Sequence, residues 1–264
     1  MLFKLCSGIM PKLAANLSML FPQLEFRERF AAAARAGFRF VEYQFPYEHA
    51  AEDVAGWARE AQVQVVLHNL PPGDHARGER GIACLPGREA EFRDAVERGI
   101  AYAKAAECPR LNCLAGLAPQ ERKHFDTLVK NVRYAARRLG EAGLQLLLEP
   151  INTRSVPGFF LTGSGQTIDV LNAAGEGNAF LQYDLFHMQI MEGDLARSIE
   201  RLLPRIGHMQ LADVPERHEP GSGEINFDFL LRHIDALGYA GWIGCEYNPS
   251  GDTNAGLKWA TPFL

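Results

Sequence analysis

Four oxygen-bearing side chains recur along the second half of the sequence, Glu149, Asp184, Gln210 and Glu246, separated by 35, 26 and 36 residues. Each ends or nearly ends a short apolar run: LQLLLEP at 144–150, FLQYD at 180–184, IGHMQLAD at 206–213 and WIGCEY at 242–247. Runs of that length, bounded by turn residues, read as strands buried on both faces. Pro150 has no N–H to give to a ladder, so the first run stops there and leaves Glu149 where strand becomes loop. Taken alone, such a glutamate is satisfied by an arginine or by solvent. Taken together, the four offer three carboxylates and an amide oxygen to one neighbourhood. That donor set is hard and suits Mg²⁺ or Mn²⁺ better than zinc. No Lys or Arg stands beside them in their runs; Arg205 only precedes the third. Buried carboxylates without a positive partner are costly, so a bound cation is expected among them.

Histidines supply further chemistry. His68 and His187 fall at or just after the ends of apolar runs, which makes both candidate substrate contacts. His208 lies two residues before Gln210 and so shares its face of the strand. His75 belongs to a long loop, NLPPGDHARGERGIACLPG at 69–87, which also carries Asp74, Arg77, Glu79 and Arg80. A loop of that length in a compact domain is usually functional. His124, His218 and His233 fall in expected helices or loops and are expected to meet solvent.

The elements that must position these residues alternate regularly. Strands are expected at 13–17, 38–45, 63–68 and 110–116, ahead of the four runs above. Glu42 stands near the end of the second. Helices are expected at 23–36, 51–61, 88–106, 119–142, 164–174, 194–203 and 227–237, with a short one near 254–260 and His187 in a short loop. The clearest is 119–142, whose apolar positions 125, 128, 129, 132, 135, 136 and 139 keep the helical period throughout. Strands alternating with helices, without hairpin signals, predict a parallel sheet closed into a (β/α)₈ TIM barrel. An open doubly wound sheet would usually carry a Gly-rich phosphate turn after its first strand, and LAANLSMLF has no glycine. In a barrel the active site lies at the C-terminal strand ends, where the four oxygen donors fall.

Composition sets the outer bounds. With 264 residues, 47% of them hydrophobic, the chain can fill one large core, and a single domain over 1–264 is expected. Met10 could serve as the start, which would make 1–10 a poorly ordered extension. The formal net charge of −5 and the lack of a dense basic block argue against a nucleic-acid partner. No apolar run approaches the roughly 20 residues needed to span a bilayer, and the N-terminus lacks a signal-peptide pattern. The five cysteines are odd in number and none has CxxC spacing, which fits a reducing cytoplasm.

Longer stretches carry a resemblance: ANLSMLF at 15–21, HNLPPGDHARGERGIACLPGREAEFRD at 68–94, LLLEPIN at 146–152, QYDLFHMQIMEGDL at 182–195, GEINFDFL at 223–230 and GWIGCEYNPSGDT at 241–253. By these the chain resembles the hydroxypyruvate isomerase family of the xylose-isomerase-like TIM-barrel superfamily. The resemblance implies that Glu149, Asp184, Gln210 and Glu246 bind one divalent metal and that Glu149 and Glu246 act as an acid–base pair. It implies interconversion of hydroxypyruvate and tartronate semialdehyde, a small-molecule substrate, and admits a homo-oligomer. A 2-oxo-tetronate isomerase and a ketose 3-epimerase of the same superfamily are the alternatives; the HNLPPGDHARGERG loop is more similar to the hydroxypyruvate isomerases. An endonuclease sharing this barrel would need more metal ligands and a basic groove. One departure stands out. The family usually reads EYKPRGDT where this chain has EYNPSGDT, so Asn248 and Ser250 replace two positive side chains. A substrate carboxylate then needs Arg80, Arg217, His68 or His187.

Overall fold

The computed structural model describes residues 12–264. The expectation that 1–10 form an extension lies outside the described residues. Eight parallel strands close into a barrel in sequence order. They are β1 Lys12–Asn16, β2 Phe40–Tyr43, β3 Gln64–Asn69, β4 Arg110–Cys113, β5 Gln145–Leu148, β6 Ala179–Asp184, β7 Ile206–Leu211 and β8 Trp242–Cys245. β1 closes on β8 with Leu13 beside Ile243. The surrounding helices are α1 Phe26–Arg35, α2 Ala51–Glu60, α3 Glu89–Ala105, α4 Arg122–Glu141, α5 Ser164–Ala174, α6 Leu185–Met191, α7 Leu195–Leu202, α8 Phe227–Ala236 and α9 Thr253–Gly256. Over the described residues the chain forms the expected (β/α)₈ barrel as one domain. Among the described residues, no helix is long and apolar enough to cross a membrane.

Two elements differ from the sequence reading. His187 lies in the short helix α6, not in a loop. Asp184 both ends β6 and caps that helix, its Oδ1 accepting from the Phe186 N–H at 2.8 Å, so the strand passes into helix with no connecting residues. The tail helix expected near 254–260 is split into α9 and a 3₁₀ turn over Leu257–Phe263. β5 and β8 also stop at Leu148 and Cys245. Glu149 and Glu246 are thus the first residues past their strands.

The barrel interior is layered along its axis. Stepping by two keeps one face of a strand, and each such step climbs from apolar to polar. In β8 the sequence is Trp242, Gly244, Glu246; in β6 it is Phe180, Gln182, Asp184; Leu147 precedes Glu149 in the same way. Ala14, Val66, Leu67 and Leu147, with Phe40, Phe180 and Trp242 against them, form the apolar floor. Glu42 lies above that floor and crosses toward β8. Gly244 makes this possible, because a Cβ there would collide with the Glu42 carboxylate. The larger apolar core lies between the outer strand faces and the helices.

Candidate active site at the C-terminal end of the barrel

Three carboxylates converge at the C-terminal strand ends. Glu149 and Glu246 are each 5% exposed and Asp184 is 0% exposed. Glu149, Asp184 and His187 each bring one ligand-type atom to within 4.8 Å of the others. Glu246 joins them through Arg217, whose Nη2 lies 2.7 Å from Glu246 Oε2 and 3.3 Å from Asp184 Oδ2. The strands that carry these carboxylates hold no positive partner beside them. The structure brings one from the loop after β7, so part of the carboxylate charge is balanced within the chain. Arg217 sits there in a left-handed conformation, φ 59°, which is uncommon for a residue with a side chain and marks local strain.

Each carboxylate is held by neutral donors as well. Glu246 Oε1 accepts from Asn16 Nδ2 and from Gln44 Nε2, both at 3.0 Å. Glu149 Oε2 accepts from Asn112 Nδ2 at 2.8 Å. These donors do not cancel the cost of burial. Burial raises the Glu246 pKa to about 7; Arg217 pulls it down, while Asp184 and Glu42 push it up. Glu149 is raised well above the usual carboxylate range by burial, then by Glu246 and Asp184, against Arg217 and Asn112. Burial also raises Asp184, opposed by Arg217 and the backbone N–H groups of Phe186 and His187. Three carboxylates against one guanidinium leave a deficit of two positive charges, which a divalent cation matches. The residues present thus fit a metal.

Gln210 is 2% exposed and engaged at both ends. Its Nε2 donates to Glu42 Oε1 at 2.8 Å, and its Oε1 accepts from Gln182 Nε2 at 2.6 Å. A carboxylate can only accept, so Glu42 fixes which way this amide points. His208 does share the face of Gln210, and its Nε2 lies 2.7 Å from Glu42 Oε2. Glu42 thus organises a layer beneath the three carboxylates. Its place near a strand end is legible in the sequence, but this task is not.

Above the carboxylates lies a cavity of about 230 Å³, below the roughly 300 Å³ at which drug-sized pockets begin. Glu149, Glu246, His187, Arg80 and Arg217 all line it. Arg80 and His75 come from the long loop after β3, as expected of a functional loop. Gly81 seats that loop against the exit of β4, with φ +103° and no room for a Cβ beside the Leu114 carbonyl. Arg88 pairs with Glu79 and fastens its far side.

One expected contact is not made. His68 is fully buried and faces outward. It stacks on Tyr43 at 5.8 Å, and Tyr43 in turn packs on Phe26 and Phe30 of α1. Asn69 lines the cavity, so strand alternation turns His68 toward the helices. Burial lowers its pKa to about 4. Asn248 and Ser250 are exposed and do not line the cavity. Ser250 Oγ donates to Glu219 Oε1 at 2.6 Å instead. His124 does not meet solvent either: it is buried, with Nδ1 2.9 Å from the Cys84 carbonyl oxygen.

Comparison with known proteins gives the fold and the family. Residues 30–263 match the family described as xylose isomerase-like TIM barrel. The chain is 48% identical over 258 residues to a hydroxypyruvate isomerase of Escherichia coli (strain K12), covering 96% of this chain and 100% of that one. It is 45% identical over 258 residues to a 2-oxo-tetronate isomerase of Cupriavidus necator, covering 97% and 99%. A solved structure titled AP endonuclease, family 2, from Brucella melitensis superposes with a TM-score of 0.94 at 44% identity, over 96% of this chain and 99% of that one. A closed barrel with an acidic, small-volume site, matched along nearly its whole length, places this chain in the hydroxypyruvate isomerase family of the xylose isomerase-like TIM barrels.

Proposed function

We propose that the protein is a metal-dependent isomerase that interconverts hydroxypyruvate and 2-hydroxy-3-oxopropanoate. The observation that carries this reading is three buried carboxylates and one guanidinium around a small cavity lined by two arginines. Glu149, Asp184, Gln210 and Glu246 would hold Mg²⁺ or Mn²⁺. A divalent cation in that site supplies Lewis acidity to an adjacent carbonyl and hydroxyl.

The protein's own groups do the rest. Arg80 and Arg217 receive the substrate carboxylate, and His187 donates to a substrate oxygen. One glutamate of the Glu149–Glu246 pair takes the proton from the hydroxymethyl carbon. The other delivers a proton to the neighbouring carbon, and the hydroxyl proton passes to the former carbonyl oxygen. No redox cofactor enters, because the electrons stay within the substrate. Burial raises both carboxylates, and Glu246, at about 7, falls in the range where a group can serve as both acid and base. His68 has no part in binding.

A second reading, 2-oxo-tetronate isomerisation, is supported by the nearly equal identity to the relative of that name. It uses the same proton transfer on a substrate one carbon longer. A ketose 3-epimerase fits less well, since two arginines on so small a cavity favour an acid over a neutral sugar. The buried thiols Cys84, Cys108, Cys113 and Cys245 are unpaired with one another, which supports a cytoplasmic setting. A panel of hydroxypyruvate, 2-oxo-tetronate and ketoses, assayed with Mn²⁺, separates these readings by rate. A neutral ketose turned over faster than either acid would overturn the proposed substrate class.

A further inference from the structure

His187 sits between two environments. Its Nε2 lies 3.4 Å from Asp184 Oδ2 and 3.8 Å from Glu149 Oε1. Its Nδ1 faces Asn152, with the amide Nδ2 at 2.6 Å and the backbone N at 3.4 Å. By position alone, His187 could complete a metal-binding trio with Glu149 and Asp184. Its ring nitrogens decide whether it can.

The orientation of the Asn152 amide is not ambiguous. Its Oδ1 accepts from the Ser155 backbone N–H at 2.7 Å. A backbone N–H can only donate, so the oxygen must be on that side. The NH₂ group is then the one that faces His187. Both Asn152 groups near Nδ1 are donors, and Nδ1 must keep its lone pair to receive them. In the neutral ring the proton therefore resides on Nε2. Nε2–H points toward the carboxylates and the cavity, and it has no lone pair for a cation.

We propose that Asn152 is a positioning residue that locks His187 as the Nε2–H tautomer, so that His187 gives substrate a neutral hydrogen-bond donor and is not a metal ligand. The kinetic half of this inference rests on the proposed isomerase reading; the tautomer half stands on geometry alone. A neutral imidazole N–H is a weak acid suited to an oxygen that gains charge during proton transfer. The lock also explains why Asn152 is buried at 0% exposure behind a residue of the cavity wall. The two hydrogen bonds of its side chain run to the Ser155 N–H and to His187.

The test is ¹⁵N NMR of the imidazole nitrogens in metal-free and Mg²⁺-loaded protein. His187 should show an unprotonated, pyridine-type Nδ1 and a protonated, pyrrole-type Nε2 in both. Asn152→Asp offers an acceptor to Nδ1 and should invert the pattern. With inversion, kcat should fall about 100-fold, the scale of losing one donor to a developing oxyanion, with KM changed little. Asn152→Ser, which can still donate, should keep the wild-type pattern and most of the rate. A protonated Nδ1 in the wild type would overturn the lock outright, whatever the variants do. A ring inverted by Asn152→Asp at undiminished kcat would overturn its catalytic role. The predicted nitrogen pattern in a protein inactive on the whole substrate panel would uphold the lock and sink the isomerase reading.

Discussion

Arg217 and Glu246 form the closest charged contact in the site, with Nη2 2.7 Å from Oε2. The arginine comes from a loop and the glutamate from the end of a strand. Asp184 shares the same Nη2 at 3.3 Å, and the guanidinium also packs 5.0 Å from the centre of the Phe186 ring. Arg217 thus bridges two carboxylates of the proposed metal set and faces the substrate cavity. Replacing it with leucine should weaken substrate binding more than turnover. We expect KM for a keto acid to rise about 10- to 100-fold, the scale of losing a charged hydrogen bond of ~1.5–3 kcal/mol. Steady-state kinetics with saturating Mn²⁺ check this. An unchanged KM would assign the carboxylate to Arg80.

Glu149→Gln and Glu246→Gln should each reduce kcat by at least about 100-fold, the usual contribution of a positioned acid or base. Both variants should fold. The amide keeps the shape and can still meet the neutral neighbours of each site. Circular dichroism and single-turnover rates check fold and chemistry separately. A near-normal rate in either variant would remove that glutamate from the acid–base pair.

Metal-free protein should become less stable as pH rises from about 4.5 to about 7. The Glu246 pKa is raised from 4.5 to about 7, first by burial, so in that window the folded chain holds a proton that the unfolded chain has released. The contribution of Glu246 to stability then falls with rising pH and levels off above about 7. Glu149 acts in the same direction. A divalent cation takes the place of that proton, so the rise in Tm on adding Mn²⁺ should be larger at about pH 8 than at about pH 5. Thermal melts at the two pH values measure it. Equal shifts would mean that the metal does not bind at these carboxylates.

Asn248→Lys should leave kcat/KM for hydroxypyruvate within about twofold, as usual for an exposed site away from special features. The residue is exposed, and its contacts to the active-site loop use the backbone: its N–H donates to the Arg217 carbonyl at 2.8 Å, and its carbonyl oxygen lies 2.7 Å from His218 Nδ1. A large gain in affinity would show that a lysine there reaches the cavity.

The barrel and three of its carboxylates are legible in the sequence because strand period and strand ending are local properties. LQLLLEP and FLQYD declare both the strand and the acid that ends it. Arg217 as their partner is not legible. It belongs to a loop between β7 and α8, and its reach into the barrel depends on backbone geometry that no periodicity reports. Glu42 is visible as a residue near a strand end, but its task depends on barrel closure, which brings His208, Gln210 and Gly244 of β7 and β8 to it. His68 shows the opposite failure. It stands one residue before a strand end, and that single step turns it from the cavity to the helices.

The central claim is that this site performs metal-dependent isomerisation of a small hydroxy-keto acid. Its most direct measurement is the rate of 2-hydroxy-3-oxopropanoate formation from hydroxypyruvate by exhaustively chelated protein, before and after Mn²⁺ is restored. No turnover is expected in the chelated protein, and full recovery is expected with Mn²⁺. Undiminished turnover in the chelated protein, or none after Mn²⁺ is restored, would contradict that claim.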